Sequence, residues 1–134
     1  MKIVFDTNVW ISAMLWNRSV ANKLFKLLLE HEVSIYTSYE LLVECKKVLE
    51  RDFPESNMKE ILNELLESSV YIQVYDKVDV VANDKSDNII IECALAASAD
   101  FIISYDKHLL NIVEYRNIRL ITPERALRLL SLFF

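Results

Sequence analysis

The chain has 134 residues, 53% hydrophobic and 26% charged, with 20 acidic against 15 basic side chains and a net charge of −5. That length predicts one domain over residues 1–134, long enough to bury about two thirds of the surface its unfolded chain exposes. No apolar run approaches the roughly 18 residues a membrane span needs, the acidic total weakens a plain nucleic-acid-binding module, and the complete absence of glycine excludes a P-loop or a dinucleotide fingerprint.

Ile3 to Phe5 is a short apolar strand that runs straight into Asp6. Val9 to Trp16 reads as a short helix, Asn17-Arg18-Ser19 as a break, and Val20 to His31 as a helix with Leu24, Leu27 and Leu28 at helical spacing. A β-rich strand follows from Val33 to Tyr36. Thr37-Ser-Tyr-Glu40 has the T-x-x-E form of a capping box and predicts a helix to about Arg51. After the break at Asp52-Phe-Pro-Glu55, Asn57 to Ser68 is a second amphipathic helix, so the pair predicts a helical hairpin. Val70 to Tyr75 is strand-like, Asp76 to Ser86 a mostly polar connection, and Asn88 to Ala99 an alanine-rich helix. Phe101 to Ser104 is a strand delivering Asp106, Lys107 to Val113 a short helix, and Ile118 to Ile121 the last strand. Thr122-Pro123 supplies an N-cap and a first-turn proline for a closing helix. Short apolar strands alternating with helices predict an α/β fold, a three-layer α/β/α domain around a mainly parallel sheet.

The N-terminal residues carry no apolar segment with a small-residue cleavage site. Cys45 and Cys93 fall in predicted helices, outside any CxxC or Cys/His cluster, as buried free thiols of a reducing compartment. Both features predict a cytoplasmic protein.

Four acids fall where the predicted sheet would gather them. In open α/β sheets, ligands bind outside the carboxyl ends of the strands, and Asp6 and Asp106 each end a strand. Glu44 stands at the margin of the helix face formed by Leu41, Cys45 and Val48, where a charge needs a partner. Asp87 opens the alanine-rich helix on the face of Ile91, Ala94 and Ser98, whose small residues allow close approach to the sheet. Singly, each acid has an ordinary reading: a helix cap for Asp6, Asp87 and Asp106, a solvated or paired charge for Glu44. Asp84, three residues before Asp87, is a weaker candidate for the same edge and reads first as a solvated loop acid. Jointly they should repel, since two carboxylates about 4 Å apart cost on the order of 4 kcal/mol at an effective dielectric near 20. A cation normally neutralises such a cluster. Oxygen donors without an accompanying His or Cys select Mg²⁺ or Mn²⁺ over zinc, ions that usually serve phosphate-ester chemistry. His31 reads as a helix-end residue and His108 as a candidate phosphate contact; neither has ligand spacing.

Asp6-Thr7-Asn8, Glu44 within Glu40-Leu-Leu-Val-Glu44, Asp87-Asn88 before an alanine-rich helix, and Ala99-Asp-Phe-Ile-Ile-Ser-Tyr-Asp106 followed by Leu109-Leu110 resemble, in order and spacing, the PIN domain. The likeness covers nearly the whole chain and is strongest to the VapC-like toxin components of toxin–antitoxin pairs. It implies a Mg²⁺- or Mn²⁺-dependent ribonuclease in which Asp6, Glu44, Asp87 and Asp106 are the catalytic, metal-binding acids, supported by Asn8 and Ser104. It also implies an RNA substrate and an antitoxin protein as partner. One departure is Tyr105, where the family often has a small residue before its last site acid; a ring there narrows the cleft or offers a base-stacking platform. Arg18, Lys46, Lys47 and Lys107 lie near the proposed edge in sequence as candidate phosphate contacts. The apolar hairpin and the closing Leu129-Leu130-Ser-Leu-Phe-Phe134 allow a homodimer.

Two other function classes remain open. A strand-end Asp also begins haloacid-dehalogenase-like phosphatases and response-regulator receivers, but the first needs an Asp where Asn8 stands, and the acid pair and mid-sheet Asp of the second are not evident. A catalytically silent RNA-binding or scaffold domain is the non-enzymatic alternative. The presence of all four acids and the acidic net charge argue against it.

Overall fold

The computed structural model describes residues 1–81 and 84–134. In chain order the elements are β1 (Lys2–Phe5), α1 (Thr7–Leu15), α2 (Val20–Glu30), β2 (Ser34–Thr37), α3 (Tyr39–Asp52), α4 (Met58–Glu67), β3 (Val70–Tyr71), α5 (Lys85–Ala97), β4 (Phe101–Ile103), α6 (Lys107–Leu110), β5 (Glu114–Tyr115), β6 (Ile118–Ile121) and α7 (Pro123–Ser131). The six strands form one sheet in the order β3-β2-β1-β4-β6-β5, parallel throughout except that β5 runs antiparallel to β6.

Strand alternation builds the three layers. Ile3, Phe5, Ile35, Ile103 and Ile121 point to one face, where they pack with α1, α2, α7 and parts of α3 and α4. Val4, Ile102 and Leu120 point to the other, against Ile90, Ile91, Cys93, Ala94 and Ala97 of α5 and Leu109 of α6. The register sets Ile3 beside Phe101 and Phe5 beside Ile103, so β1 and β4 end level with each other. On the first face Trp10 packs edge-on against Phe5 at 5.0 Å and Phe25 at 5.7 Å between ring centres, anchoring α1 directly after β1. The three-layer expectation is borne out. Among the described residues no helix is long and apolar enough to cross a membrane.

Several boundaries differ from the sequence expectation, each for a local reason. α1 starts at Thr7, because Asp6 caps it. The capping box at Thr37 does not form: Thr37 stays in β2, level with Tyr71 of β3, and Ser38 is the N-cap, accepting from the Leu41 amide at 3.3 Å. Glu40 reaches outward to Lys77 at 4.0 Å instead. β3 is two residues long, not six, and β5 arises only because it pairs with β6. α5 begins at Lys85, since Asp84 is its N-cap and not a solvated loop acid; its side chain accepts from the Asp87 amide at 3.0 Å. The chain also places non-glycine residues in the left-handed region, among them Ser98 (φ 52°) at the end of α5 and Val113 (φ 67°) before β5. A β-branched residue there is a strained choice that a glycine-free sequence has to accept.

Candidate metal centre

Strands β2 and β3 lie to one side of β1, strands β4 and β6 to the other, so the topological switch falls between β1 and β4. The crevice at the carboxyl ends of those two strands is the place such sheets offer a ligand. α3 packs against both α1 and α5 beside it, and a concavity of about 140 Å³ there is lined by Asp6, Glu44, Asp87 and Asp106 together with Thr7, Asn8, Arg51 and Ser86. Four acids from four separate elements thus face one small volume.

Asp6 has two jobs at once. As N-cap of α1 its Oδ1 accepts from the Thr7 amide at 2.8 Å, and its Oδ2 accepts from the Ser104 hydroxyl at 2.6 Å. Burial pushes its carboxyl above the usual range, the Ser104 and Thr7 bonds pull the other way, and the charges of Asp106 and Glu44 push up again. Ser104 is fully buried just past β4, and its Oγ also accepts from the Asp106 amide at 2.9 Å. One hydroxyl therefore ties the end of β1 to the end of β4. Asp106 caps α6, accepting from the His108 amide at 2.7 Å. Because Ser104 fixes both strand ends, Ser104→Ala is expected to cost about 1–3 kcal/mol, the range for stranding a buried hydrogen-bonding partner. Thermal unfolding measures it; an unchanged melting temperature would contradict this role.

Asp87 is crowded as well as buried. It is 5% exposed, and its Oδ2 is buried without a hydrogen-bond partner among the described residues. Burial first, then the charges of Asp106 and Asp84, a side-chain hydrogen bond with Asp84, and the charge of Asp6 push its carboxyl up to about 7. A buried polar atom without a partner is costly, and an orphaned carboxylate oxygen beside three more carboxylates is the atom a cation would satisfy. Among the described residues, none of the four acids has an ion-pair partner. Nor are any three Asp, Glu, His or Cys side chains among those residues already gathered as ligands around one point. The carboxylates line the cleft.

Of the other residues singled out in the sequence, Asn8 is exposed at the cleft wall. Arg18, Lys46, Lys47 and Lys107 are all exposed and are not among the described residues lining the cleft; Lys46 lies 3.8 Å from Glu50. His31 ends α2 and stacks on Phe134 at 4.0 Å. Tyr105 is 40% exposed, bonds Glu124 at 3.2 Å through its hydroxyl, and does not line the cleft. Burial and Glu124 push that phenol up to about 12, so it is no base at neutral pH. Both cysteines are buried, with thiols raised by burial to about 11 (Cys45) and about 12 (Cys93). Arg51, predicted only as the end of a helix, lines the cleft while forming a two-pronged pair with Asp52 at 2.9 Å. Its signal was present: Arg51 stands seven residues after Glu44, two turns along the same face of α3.

The sequence matches the PIN domain family over residues 2–108. It is 31% identical over 118 residues to the uncharacterized protein MJ1680 of Methanocaldococcus jannaschii, an alignment spanning 84% of this chain and 75% of that protein. The fold is similar to VapBC2 from Rickettsia felis, solved bound to a DNA fragment from their promoter, with a TM-score of 0.67 at 16% identity over 90% of this chain and 97% of that one. It is also similar to PAE2754 from Pyrobaculum aerophilum, with a TM-score of 0.63 at 12% identity over 97% and 89% of the two chains. The motif resemblance is borne out at the level of the family: the chain belongs to the PIN domain family, whose members are generally nucleases.

Proposed function

We propose that residues 1–134 form one cytoplasmic endoribonuclease domain, dependent on Mg²⁺ or Mn²⁺, that serves as the toxin of a toxin–antitoxin pair. The observation that carries the metal reading is the unpartnered, buried Asp87 Oδ2 in a cleft with three further carboxylates. An all-oxygen donor set of this kind fits a hard divalent ion. Asp6, Asp87 and Asp106 would hold it, and Glu44 would join directly or through water. When bound, such an ion supplies a nucleophilic water at neutral pH and offsets charge on the phosphate.

The chain's own residues do the rest. Ser104 orients the Asp6 carboxylate and fixes the Asp106 backbone through one hydroxyl. Asn8 offers an uncharged amide at the cleft wall for a phosphate oxygen. Arg51 faces the same volume and can exchange Asp52 for a phosphate of the strand, with Arg18, Lys46, Lys47 and Lys107 further out along its path. With a net charge of −5 the protein repels RNA at long range, so binding depends on the cation as well as cleavage does. The partner reading draws on VapBC2, a fold relative named as a pair. The exposed Leu132, Phe133 and Phe134 and the α3–α4 hairpin are the surfaces for an antitoxin or a second protomer.

The test is cleavage of a single-stranded RNA by the purified chain with and without Mn²⁺, run beside p-nitrophenyl phosphate. Internal RNA cleavage that needs Mn²⁺ and leaves the monoester intact is the expected result. Monoester hydrolysis would restore the phosphatase reading, and activity on neither would leave the silent scaffold.

A further inference from the structure

We infer that Asn88 is a positioning residue for the acidic centre, latching the preceding segment onto α5 and so holding Asp84 and Asp87 in place; this rests on the metal reading proposed above. Asn88 is 7% exposed and uses its side-chain amide in full. Its Oδ1 accepts from the amides of Val80 at 2.9 Å and Val81 at 3.0 Å, and its Nδ2 donates to the carbonyls of Val81 at 2.8 Å and Asp84 at 2.7 Å. Glu92 lies one turn further along α5. It is buried, accepts from the Val78 amide at 2.9 Å and pairs with Lys77 at 3.7 Å. Two buried polar side chains on one helix face therefore grip the backbone at Val78, Val80, Val81 and Asp84.

The restraint matters because the arrangement it holds is repulsive. Asp84 caps α5 through the Asp87 amide, while Asp87 is crowded by Asp6, Asp84 and Asp106. Lys85 and Ser86, the first turn between them, are exposed. A helix end with few buried contacts opens at little cost. Released from the latch, the first turn would fray and Asp87 would swing into water, away from the other acids. Apolar packing of α5 begins at Ile89, Ile90 and Ile91, after the turn in question. Nothing else among the described hydrogen bonds ties the side chains of that first turn to another element.

The experiment compares the parent, Asn88→Ala and, as a destabilised control on the opposite face of the sheet, Leu65→Ala. Mn²⁺ binding is measured by calorimetry, and amide exchange at Val80, Val81 and Asp87 in metal-free protein. Asn88→Ala is expected to weaken Mn²⁺ binding by roughly 10- to 100-fold, the usual cost of losing a residue that orients a ligand. Leu65→Ala, although less stable, should keep its Mn²⁺ affinity within about twofold, as distant sites do. Exchange at all three amides should accelerate selectively in Asn88→Ala. If Asn88→Ala does not fold, Asn88→Ser replaces it; its shorter side chain cannot make all four bonds and adds no charge, and it should lose affinity and protection at Asp87. Unchanged Mn²⁺ affinity in a folded Asn88 variant, with the parent binding normally, overturns the inference and leaves the metal reading intact. If the parent itself binds no Mn²⁺, the metal reading falls, and unaltered exchange at Asp87 would overturn the latch as well.

Discussion

Asp6→Asn is expected to reduce Mn²⁺-dependent RNA cleavage by orders of magnitude while leaving the metal-free protein as stable as the parent, or more stable. Asn preserves the shape and serves an N-cap about as well as Asp, so its carbonyl can still accept from the Thr7 amide. The amide nitrogen then meets Ser104 Oγ, which accepts where it used to donate, at the cost of one re-pointed hydroxyl. Against that small loss stands the removal of a buried negative charge that faces Asp106 and Glu44, a relief of up to a few kcal/mol on the scale of carboxylate pairs at short range. Catalysis responds in the opposite sense, because an amide oxygen is a far poorer ligand for a hard divalent ion than a carboxylate. A purely capping Asp6 would leave both quantities nearly unchanged. Cleavage rate and metal-free melting measured on the same preparation separate the two roles, and full activity in the Asn variant would remove Asp6 from the chemistry.

The second large effect is on pH dependence, and it should reverse with metal. In metal-free protein the Asp87 carboxyl titrates near 7 in the folded state and at about 3.9 when unfolded. Between those values the folded state binds more protons, so stability falls as pH rises. The contribution is fully present below about pH 4 and is lost by pH 7 and above. One pH unit of displacement corresponds to about 1.4 kcal/mol, and water in the open cleft screens part of it. The expected loss between pH 4.5 and 7.5 is therefore about 2 kcal/mol, or roughly 6 °C in melting temperature. Asp87→Asn, which cannot titrate, should flatten that slope. Mn²⁺ competes with the proton for the same carboxylate, so the loaded protein should gain stability with rising pH over the same window. Melting curves of chelator-treated and Mn²⁺-loaded protein across this range test the reversal. Identical slopes would show that the ion and the Asp87 proton do not share a site.

Periodicity and composition were enough to anticipate the layers, because strand alternation and helical spacing report which face a residue buries. The four acids could be placed at one sheet edge for the same reason: two end strands, one opens a helix, and one sits at the margin of an apolar stripe. Local sequence could not separate cap from site, and Asp6 explains why. It caps α1 with one oxygen and turns the other to Ser104 in the cleft, so the two readings were never exclusive. What stayed hidden depended on pairing across the chain. Thr37 looked like a cap until β3 claimed it as a strand residue, and β5 exists only through β6. Ser104 joins two strand ends 98 residues apart. The part played by Asn88 rests on a backbone segment folding back over α5, which no spacing rule encodes. Arg51 was the avoidable miss, since its position on the Glu44 face follows from helical geometry alone.

Whether Asp6, Glu44, Asp87 and Asp106 form a divalent-metal centre is decided most directly by anomalous diffraction from a crystal of the protein equilibrated with Mn²⁺. An anomalous peak is expected between the ends of β1 and β4, with carboxylate oxygens of Asp6 and Asp87 among its ligands at about 2.1 Å, the distance for a small hard cation, and the peak should be lost in Asp6→Asn. No peak in that cleft at millimolar Mn²⁺, in a crystal that leaves the cleft open to solvent, would contradict the metal centre.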